Sequence, residues 1–313
     1  MESAFRAGTA MVFPGMGPTT FAEASGFMLN DPTAIELTAI ADGVLGYSLV
    51  DRFRAAEHDY TEAAQVAFML NCVALAHWAR RELGTTPDVV AGPSFGGKAA
   101  VAFAGCLPFA QAVRLTAELA RCTEDYFRTA HADIVTYSFA RTPEPALRAV
   151  LAELAERGSW HEVAGRVDHD FHMISLPDKE TDWLSGRVRA AGGLPLYTMR
   201  PPMHAAAFAE LRDRAEREVL SGLRFSDPVL PLVDDHDGTL VTDAAGVRRM
   251  LLDGITRALS WPSVVGTLKR AGVEDMVVCG QDRLFGRVPL SRNSFRLLAV
   301  TPRLAAGGAA LKR

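Results

Sequence analysis

The hydrophobic and polar positions of this chain predict an α/β core. Short apolar runs end in glycine-rich turns in AMVFPGMG, residues 10–17, and in VVAGPSFGGKA, residues 89–99. A long helix is predicted from about Asp59 to Leu83, because Asp59 and Glu62 have the spacing of a capping box. Apolar strands that lead into helices in this way predict parallel strand pairing.

The pattern changes between residues 132 and 199. The sequence predicts a strand at DIVTYSF, a helix over 143–157, strands at HEVAGRV and DFHMIS, a helix over 179–191 and a strand at LPLYT. This βαββαβ order is typical of a ferredoxin-like domain. We therefore predict an α/β large domain, residues 1–131 and 200–313, with a ferredoxin-like small domain, residues 132–199, inserted into it.

Length and composition indicate an ordinary globular protein. Of 313 residues, 49% are hydrophobic and 22% are charged, and the formal net charge is -4, which does not favour nucleic-acid binding. The most apolar helix, residues 63–79, contains Gln65, Asn71 and His77, so a core helix is predicted rather than a membrane span. The first residues lack the pattern of a secretory signal, and the four cysteines show no CxxC spacing. Buried thiols in a cytoplasmic protein are therefore predicted.

One serine stands in a strand–GxSxG–helix segment, GPSFGG. Because Gly92 and Gly96 lack a Cβ, the chain can turn sharply there and expose the Ser94 hydroxyl above the sheet. The following helix begins at this turn, so its N-terminal N–H groups favour a developing oxyanion. A capping serine in a glycine-rich turn has the same five-residue pattern, but the flanking strand and helix favour a nucleophile. A second oxyanion donor is expected from the FPGMG turn, residues 13–17.

A serine nucleophile needs a base, and the chain has eight histidines. His204, in MRPPMHAAAF, lies between a predicted strand and a helix, a junction where α/β enzymes carry catalytic groups. His172 alternates within a strand and is predicted to be packed. His236, in VDDHDG, is predicted to lie in a polar turn, with an Asp/His metal site as the less favoured alternative. His204 is therefore the candidate base.

These motifs resemble those of the malonyl-CoA:acyl carrier protein transacylase family, which includes the acyltransferase domains of polyketide synthases. FPGMG is similar to the family's FPGQG, GPSFGG to its GHSxGE, and TEAAQVAF to its TxxTQPALF region. PPMH falls where the family has a four-residue motif that ends in the catalytic histidine. The resemblance implies an α/β-hydrolase-like large domain with the inserted small domain. It implies no metal and no cofactor of its own, since phosphopantetheine arrives on a carrier protein or on CoA.

The resemblance also implies a ping-pong reaction. Ser94, with His204 as base, attacks an acyl thioester, and the backbone N–H groups of Met16 and Phe95 bind the oxyanion. A phosphopantetheine thiol of an acyl carrier protein then takes the acyl group from the serine. In the family a backbone carbonyl orients the histidine, and Val167 aligns roughly with that position.

The chain departs from the family at positions that contact the acyl group. Leu119 falls where malonyl enzymes have the arginine that holds the free carboxylate. Met16 replaces the glutamine of FPGQG, and Ser260 replaces the glutamine that precedes the tryptophan in ALSW. Met203, in PPMH, belongs to a tetrapeptide that differs from those associated with malonyl and methylmalonyl selection. An unpaired carboxylate buried beside Leu119 is heavily penalised, whereas a neutral chain gains from apolar burial.

We therefore predict an acyltransferase that moves a neutral, bulkier acyl group, aminoacyl or dipeptidyl, between a donor and an acceptor carrier protein. The pattern resembles standalone acyltransferases of macrolactam antibiotic assembly. Three alternatives stay open: a malonyl transacylase whose arginine comes from elsewhere in the chain, an editing hydrolase with water as acceptor, and, least favoured, a carrier-binding protein without activity.

The segment from Arg283 to the end of the chain contains several arginines and one lysine but no aspartate or glutamate. Arg287, Arg292 and Arg296 are predicted to dock an acidic carrier protein. A solvated basic surface without a partner is the alternative interpretation.

Overall fold

The computed structural model describes residues 8–57 and 59–308, which form eleven strands and thirteen α-helices. The strands are β1 (Thr9–Val12), β2 (Val89–Ala91), β3 (Ile134–Ala140), β4 (Glu162–Asp168), β5 (Phe171–Pro177), β6 (Leu194–Met199), β7 (Leu232–Val233), β8 (Leu240–Val241), β9 (Leu259–Ser260), β10 (Asp275–Cys279) and β11 (Arg296–Val300). The helices are α1 (Phe21–Met28), α2 (Pro32–Leu45), α3 (Leu49–Arg54), α4 (Glu62–Leu83), α5 (Gly96–Phe103), α6 (Phe109–Thr129), α7 (Glu144–Glu156), α8 (Thr181–Ala190), α9 (Ala209–Glu218), α10 (Ala244–Thr256), α11 (Trp261–Arg270), α12 (Pro289–Arg292) and α13 (Pro302–Gly308). Lys312 and Arg313 of the predicted basic segment lie outside the described residues.

The larger sheet has the strand order β11-β10-β1-β2-β7-β8 within the described residues. Its neighbours pair in parallel, except that β7 and β8 are antiparallel. Both faces of the sheet are covered, since Met11 of β1 packs in one buried cluster while Val12, which points to the opposite face, packs in another. The predicted α/β class with parallel pairing is confirmed.

A second sheet has the order β6-β3-β5-β4-β9. Its first four strands, with α7 and α8, follow one another along the chain as βαββαβ, the predicted order of elements. The fifth strand, β9, comes from a later part of the chain and pairs in parallel with β4. The sequence did not predict β9, because a two-residue strand has no periodicity. The bounds of the two domains stay a prediction.

Helix α4 starts at a different cap from the one that the sequence predicted. Thr61, not Asp59, is its N-cap, and the Thr61 hydroxyl accepts a hydrogen bond from the amide of Ala64 at 3.2 Å. The Glu62 carboxylate instead accepts hydrogen bonds from Tyr47 and from Arg121, each at 2.7 Å. The predicted capping box is therefore wrong.

The cysteines and the apolar helices agree with the predicted core. All four cysteines are unpaired and buried, as predicted. Among the described helices, none combines the length and the apolar character that crossing a bilayer requires.

Candidate active site

Ser94 lies in the sharp turn between β2 and α5, with a φ of 54° in the left-handed region. This conformation strains a residue that has a side chain. A Cβ on Gly92 would overlap the backbone of Gly96, and a Cβ on Gly96 would overlap the carbonyl of Phe13. Both glycines are therefore required by close backbone contacts, as expected for a nucleophile turn.

Asp235 holds this turn from the neighbouring strand. The Ser94 amide donates a hydrogen bond to Asp235 Oδ2 at 2.6 Å. Asp235 follows the carboxyl end of β7, which pairs in parallel with β2, so both residues lie at the same edge of the sheet. The carboxylate is buried, and burial raises the pKa of Asp235. Sequence reasoning missed this contact, because VDDHDG indicated only a polar turn.

The predicted nucleophile and base are in contact. Ser94 Oγ lies 2.8 Å from His204 Nε2, and His204 Nδ1 lies 3.2 Å from the carbonyl oxygen of Arg257. When Nδ1 carries the proton and donates it to this carbonyl, the lone pair of Nε2 faces the serine hydroxyl. The carbonyl that orients the histidine is that of Arg257 and not that of Val167, which is a buried core residue of β4. Our expectation for Val167 is therefore wrong.

Burial keeps the His204 ring uncharged. Desolvation is the main cause that lowers the pKa of His204 to about 3, and the nearby His236 lowers it further, while the Arg257 carbonyl acts in the opposite direction. A histidine with this pKa is neutral at physiological pH. The lone pair of Nε2 is therefore free to face the serine hydroxyl at that pH.

His236 lies behind His204, with 6.4 Å between the ring centroids. His236 Nδ1 is 2.6 Å from Asp234 Oδ1 and 3.3 Å from Asp235 Oδ1. Burial lowers the pKa of His236, but the hydrogen bond with Asp234 and the charges of the two aspartates outweigh it, so the pKa is raised. The three side chains offer atoms within 4.8 Å of one another, as a metal site would. Asp234 already bonds to His236, and Asp235 already accepts a hydrogen bond from the Ser94 amide. We therefore infer that the cluster stabilises the nucleophile turn rather than binding a metal.

The two predicted oxyanion donors lie beside the same cavity. The close approach of Gly96 to Phe13 brings the 13–17 turn against the nucleophile turn, and both Met16 and Phe95 line the cavity. Neither backbone N–H of these two residues has a hydrogen-bond acceptor within the described part of the chain. Phe95 is also the N-cap residue of α5, where the helix dipole favours negative charge. This geometry suits an oxyanion hole.

A cavity of about 120 Å³ opens beside Ser94 and His204. Most of its side chains are apolar: Met16, Phe95, Leu119, Met199, Pro201, Met203, Met250, Leu251 and Ile255. Its further polar side chains are those of Tyr60, Gln65, Lys98, Thr123 and Asp235. Among the described residues that line it there is no arginine, and Lys98 is its one lysine. Sequence reasoning missed Lys98, because GGKAAVAFA was interpreted only as a helix.

Ser260 does not share this cavity with the other predicted acyl contacts, Met16, Leu119 and Met203. Its Oγ lies 2.7 Å from Ser263 Oγ, and its amide donates to the Asp235 carbonyl at 2.7 Å. Ser260 is the N-cap residue of α11, and its hydroxyl is paired with that of Ser263. This placement removes Ser260 from the acyl-binding residues.

The three arginines predicted to dock a carrier protein do not share one surface. Arg296 is the first residue of β11 and lies opposite Asp275, the first residue of β10, at the amino edge of the sheet. Its guanidinium pairs with Asp275 at 2.7 Å. Ser94 lies at the carboxyl edge, and Arg287 belongs to the segment that leaves β10 at that edge. All three arginines are exposed. Arg287 and Arg292 remain candidates, whereas Arg296 does not, because it starts its strand at the amino edge and is paired with Asp275.

Sequence comparisons relate the chain to acyltransferases. Residues 138–199 match a family model described as the VinK acyltransferase small domain. The malonyl CoA-acyl carrier protein transacylase of Haemophilus influenzae is 34% identical over 274 residues, which cover 84% of this chain and 85% of that protein. The enzyme of the same name from Salmonella typhimurium is 26% identical, over 88% of this chain and 89% of that protein.

Solved structures share the fold. A chain from the complex of a type II PKS acyl-carrier protein with its malonyl-transacylase superposes with a TM-score of 0.85 and 23% identity, covering 98% of this chain and 100% of that chain. The malonyl CoA-acyl carrier protein transacylase of Coxiella burnetii superposes with a TM-score of 0.83 and 22% identity, covering 100% and 99%. At these identities the likeness establishes the common α/β fold.

Proposed function

Since the chain belongs to the malonyl-CoA:acyl carrier protein transacylase family and is an acyltransferase, we propose that Ser94 and His204 transfer an acyl group from a thioester to a carrier-protein thiol. The observation that carries this proposal is the 2.8 Å contact between Ser94 Oγ and His204 Nε2 at the edge of the cavity. A serine hydroxyl becomes a nucleophile when a neutral base takes its proton as it attacks.

In the first half-reaction Ser94 Oγ attacks the carbonyl carbon of the thioester, and its proton passes to His204 Nε2. Negative charge develops on the carbonyl oxygen, where the amides of Met16 and Phe95 stabilise it. The C–S bond then breaks, and the leaving thiolate takes the proton from His204. The products are a free thiol and an acyl-Ser94 ester.

The second half-reaction runs the same steps with a new thiol. His204 takes the proton of a phosphopantetheine thiol, and the thiolate attacks the ester carbonyl. The bond to Ser94 Oγ breaks, and this oxygen recovers the proton from His204. Phosphopantetheine acts here as part of the substrate, so the chemistry requires no metal and no resident cofactor.

For the acyl group we propose a neutral, aminoacyl or dipeptidyl chain rather than malonyl. Leu119 occupies the cavity wall, and no arginine lines it within the described residues, so a malonyl carboxylate would lack a bidentate partner. The volume of about 120 Å³ is near the roughly 150 Å³ of an apolar cavity that binds benzene, which suits a group of aminoacyl size. Malonyl transfer is the second candidate, and the names of the sequence relatives favour it.

For the partners we propose a donor and an acceptor acyl carrier protein in polyketide antibiotic assembly of the macrolactam type. Two observations support this: the small-domain match over residues 138–199, and the similarity to a chain from a complex between a transacylase and its carrier protein. Arg287 and Arg292 are the exposed cations that we assign to docking.

Intact-mass measurement tests the proposal. The protein is incubated with acyl-pantetheine thioesters and then with a holo carrier protein. We expect an adduct on the wild type that moves to the carrier protein, no adduct on Ser94→Ala, and acylation of His204→Ala slowed about 10²–10⁴-fold. Ser221→Ala, at an exposed serine away from the cavity, is the control. No adduct with any thioester would exclude the proposed reaction, and release of free acid instead of transfer would indicate an editing hydrolase.

A further inference from the structure

Lys98 lies in the first turn of α5, directly after the nucleophile turn. Its Nζ lies 3.8 Å from the centre of the Phe95 ring, which packs edge-on against Phe68. Lys98 lines the same cavity as Ser94. Within the described residues its amino group has no hydrogen bond and no ion pair with an acidic side chain. Apart from the Phe95 ring, the amino group therefore has no partner among the described residues.

A lysine ammonium that loses hydration without gaining a hydrogen-bond acceptor costs free energy. Burial lowers the pKa of Lys98 to about 7, because the charged form loses its hydration. The face of the Phe95 ring attracts the cation but accepts no conventional hydrogen bond. An ammonium has three donors, so an oxygen atom of a bound acyl group would supply an acceptor that the described residues do not provide.

We propose that Lys98 selects the acyl group by donating a hydrogen bond from Nζ to a neutral carbonyl oxygen beyond the thioester, such as the amide oxygen of a dipeptidyl or N-acylated aminoacyl chain. This inference rests on the proposed acyl transfer at Ser94 and specifies its substrate class. Lys98 is a specificity residue in this account, and the reacting atoms remain those of Ser94 and His204.

The supply of donors in the cavity favours a neutral carbonyl over a carboxylate. Gln65 Nε2 already donates to the Tyr60 carbonyl at 2.9 Å, and the Tyr60 hydroxyl is directed at the Met16 carbonyl, 3.5 Å away. A carboxylate is best held by the planar two-pronged guanidinium of an arginine, whereas a lysine ammonium meets it only as a point charge, here beside the apolar Leu119. A carbonyl oxygen needs no such fork, because a single N–H of Lys98 satisfies it. An ammonium on the same part of the chain would be repelled.

The test compares two thioesters that have the same chain length and differ in the amide. N-acetylglycyl-pantetheine and pentanoyl-pantetheine are each incubated with the protein, and kcat/KM for acylation of Ser94 is measured by intact mass. We expect the wild type to favour N-acetylglycyl by about tenfold or more, and Lys98→Met to bring this ratio close to one. Lys269→Met makes the same change at an exposed lysine of α11 and should keep the wild-type ratio.

Several outcomes would overturn the proposal. A wild-type ratio near one, a Lys98→Met variant that keeps the preference, or an equal loss on both thioesters would each show that Lys98 does not recognise the amide. A wild type that uses malonyl-pantetheine better than N-acetylglycyl, with this preference lost in Lys98→Met, would assign Lys98 to a carboxylate. If Lys98→Met does not fold, Lys98→Gln replaces it, because glutamine keeps a hydrogen-bond donor. Lys98→Gln should then retain part of the preference for N-acetylglycyl-pantetheine. A kcat/KM ratio of one in Lys98→Gln would contradict the proposal. Because the readout is a ratio between substrates, failure here differs from failure of acyl transfer, which is the absence of any adduct.

Discussion

The His204 and His236 rings lie 6.4 Å apart between centroids and have opposite electrostatic surroundings. His236 bonds to Asp234, which favours its protonated form, whereas His204 bonds to a backbone carbonyl and is buried. Positive charge on His236 opposes a second positive charge on His204. The pair therefore keeps the base neutral next to the nucleophile.

This arrangement predicts the pH dependence of acylation. Because the pKa of His204 is lowered to about 3, the rate of acyl-Ser94 formation should not fall as the pH decreases through 6.5. His236→Asn removes the neighbouring charge, so we expect the apparent pKa of the acid limb to rise. The measurement is kcat/KM against pH for both proteins. A wild-type limb centred at 6.5 would contradict the lowered pKa.

The same shift predicts how stability depends on pH. The unfolded chain takes up a proton on this histidine near pH 6.5, whereas folded His204 does so near pH 3. The unfolded state thus binds more protons between these values, and the free energy of unfolding should decrease as the pH falls from 6.5 towards 3. His204→Gln should show a smaller decrease in urea titrations over this range. An equal decrease in both proteins would exclude the contribution of His204.

Asp235 is expected to position the nucleophile. In Asp235→Ala the half-buried Ser94 amide loses its charged acceptor, which costs about 1–3 kcal/mol of stability and allows the strained turn to relax. We expect acylation to slow by about tenfold or more as well. Asp235→Asn keeps an oxygen for the amide and should retain most of both properties. Urea unfolding and acylation rates measure the two effects, and identical behaviour of the two variants would remove this role.

Leu119 predicts discrimination against malonyl. The wild type should acylate Ser94 poorly from malonyl thioesters, because a buried carboxylate would have no arginine partner. Leu119→Arg should lower acylation by the neutral substrate, since it fills the cavity and adds an unpaired cation. Intact-mass rates with malonyl, acetyl and aminoacyl thioesters measure this, with Leu119→Met as the uncharged control. Efficient malonylation of the wild type would contradict the proposed neutral substrate and would support malonyl transfer.

The docking surface is expected to involve Arg287 and Arg292 but not Arg296. Arg287→Gln and Arg292→Gln should reduce kcat/KM with a carrier-bound acyl group more than with a pantetheine thioester, because the thioester has no carrier protein that could dock. Arg296→Gln, at the opposite edge of the sheet, is the matched control and should change neither. Added salt should reproduce the loss, since it screens exposed charges. Equal losses on both substrates would exclude docking at these residues.

Much of the catalytic pair could be predicted from the sequence because its signals are local. The glycines around Ser94 indicate a tight turn in which larger residues would not fit. The position of His204 between a predicted strand and a helix indicates that it lies at the end of a strand. The buried strands and the βαββαβ order likewise follow from apolar runs and their spacing. The sequence by itself therefore determined the α/β class, the nucleophile turn and the candidate base.

Tertiary structure alone decided what surrounds this pair. Asp235 reaches the Ser94 amide because β7 pairs with β2, and the Arg257 carbonyl reaches His204 because the chain turns towards it after α10. Lys98 lines the cavity because of the direction in which its face of α5 points. Arg296 lies at the amino edge of the larger sheet because of the position of β11 in that sheet. Each of these contacts joins distant segments whose local pattern is that of an ordinary turn or helix. Their chemistry therefore depends on packing, which no single segment encodes.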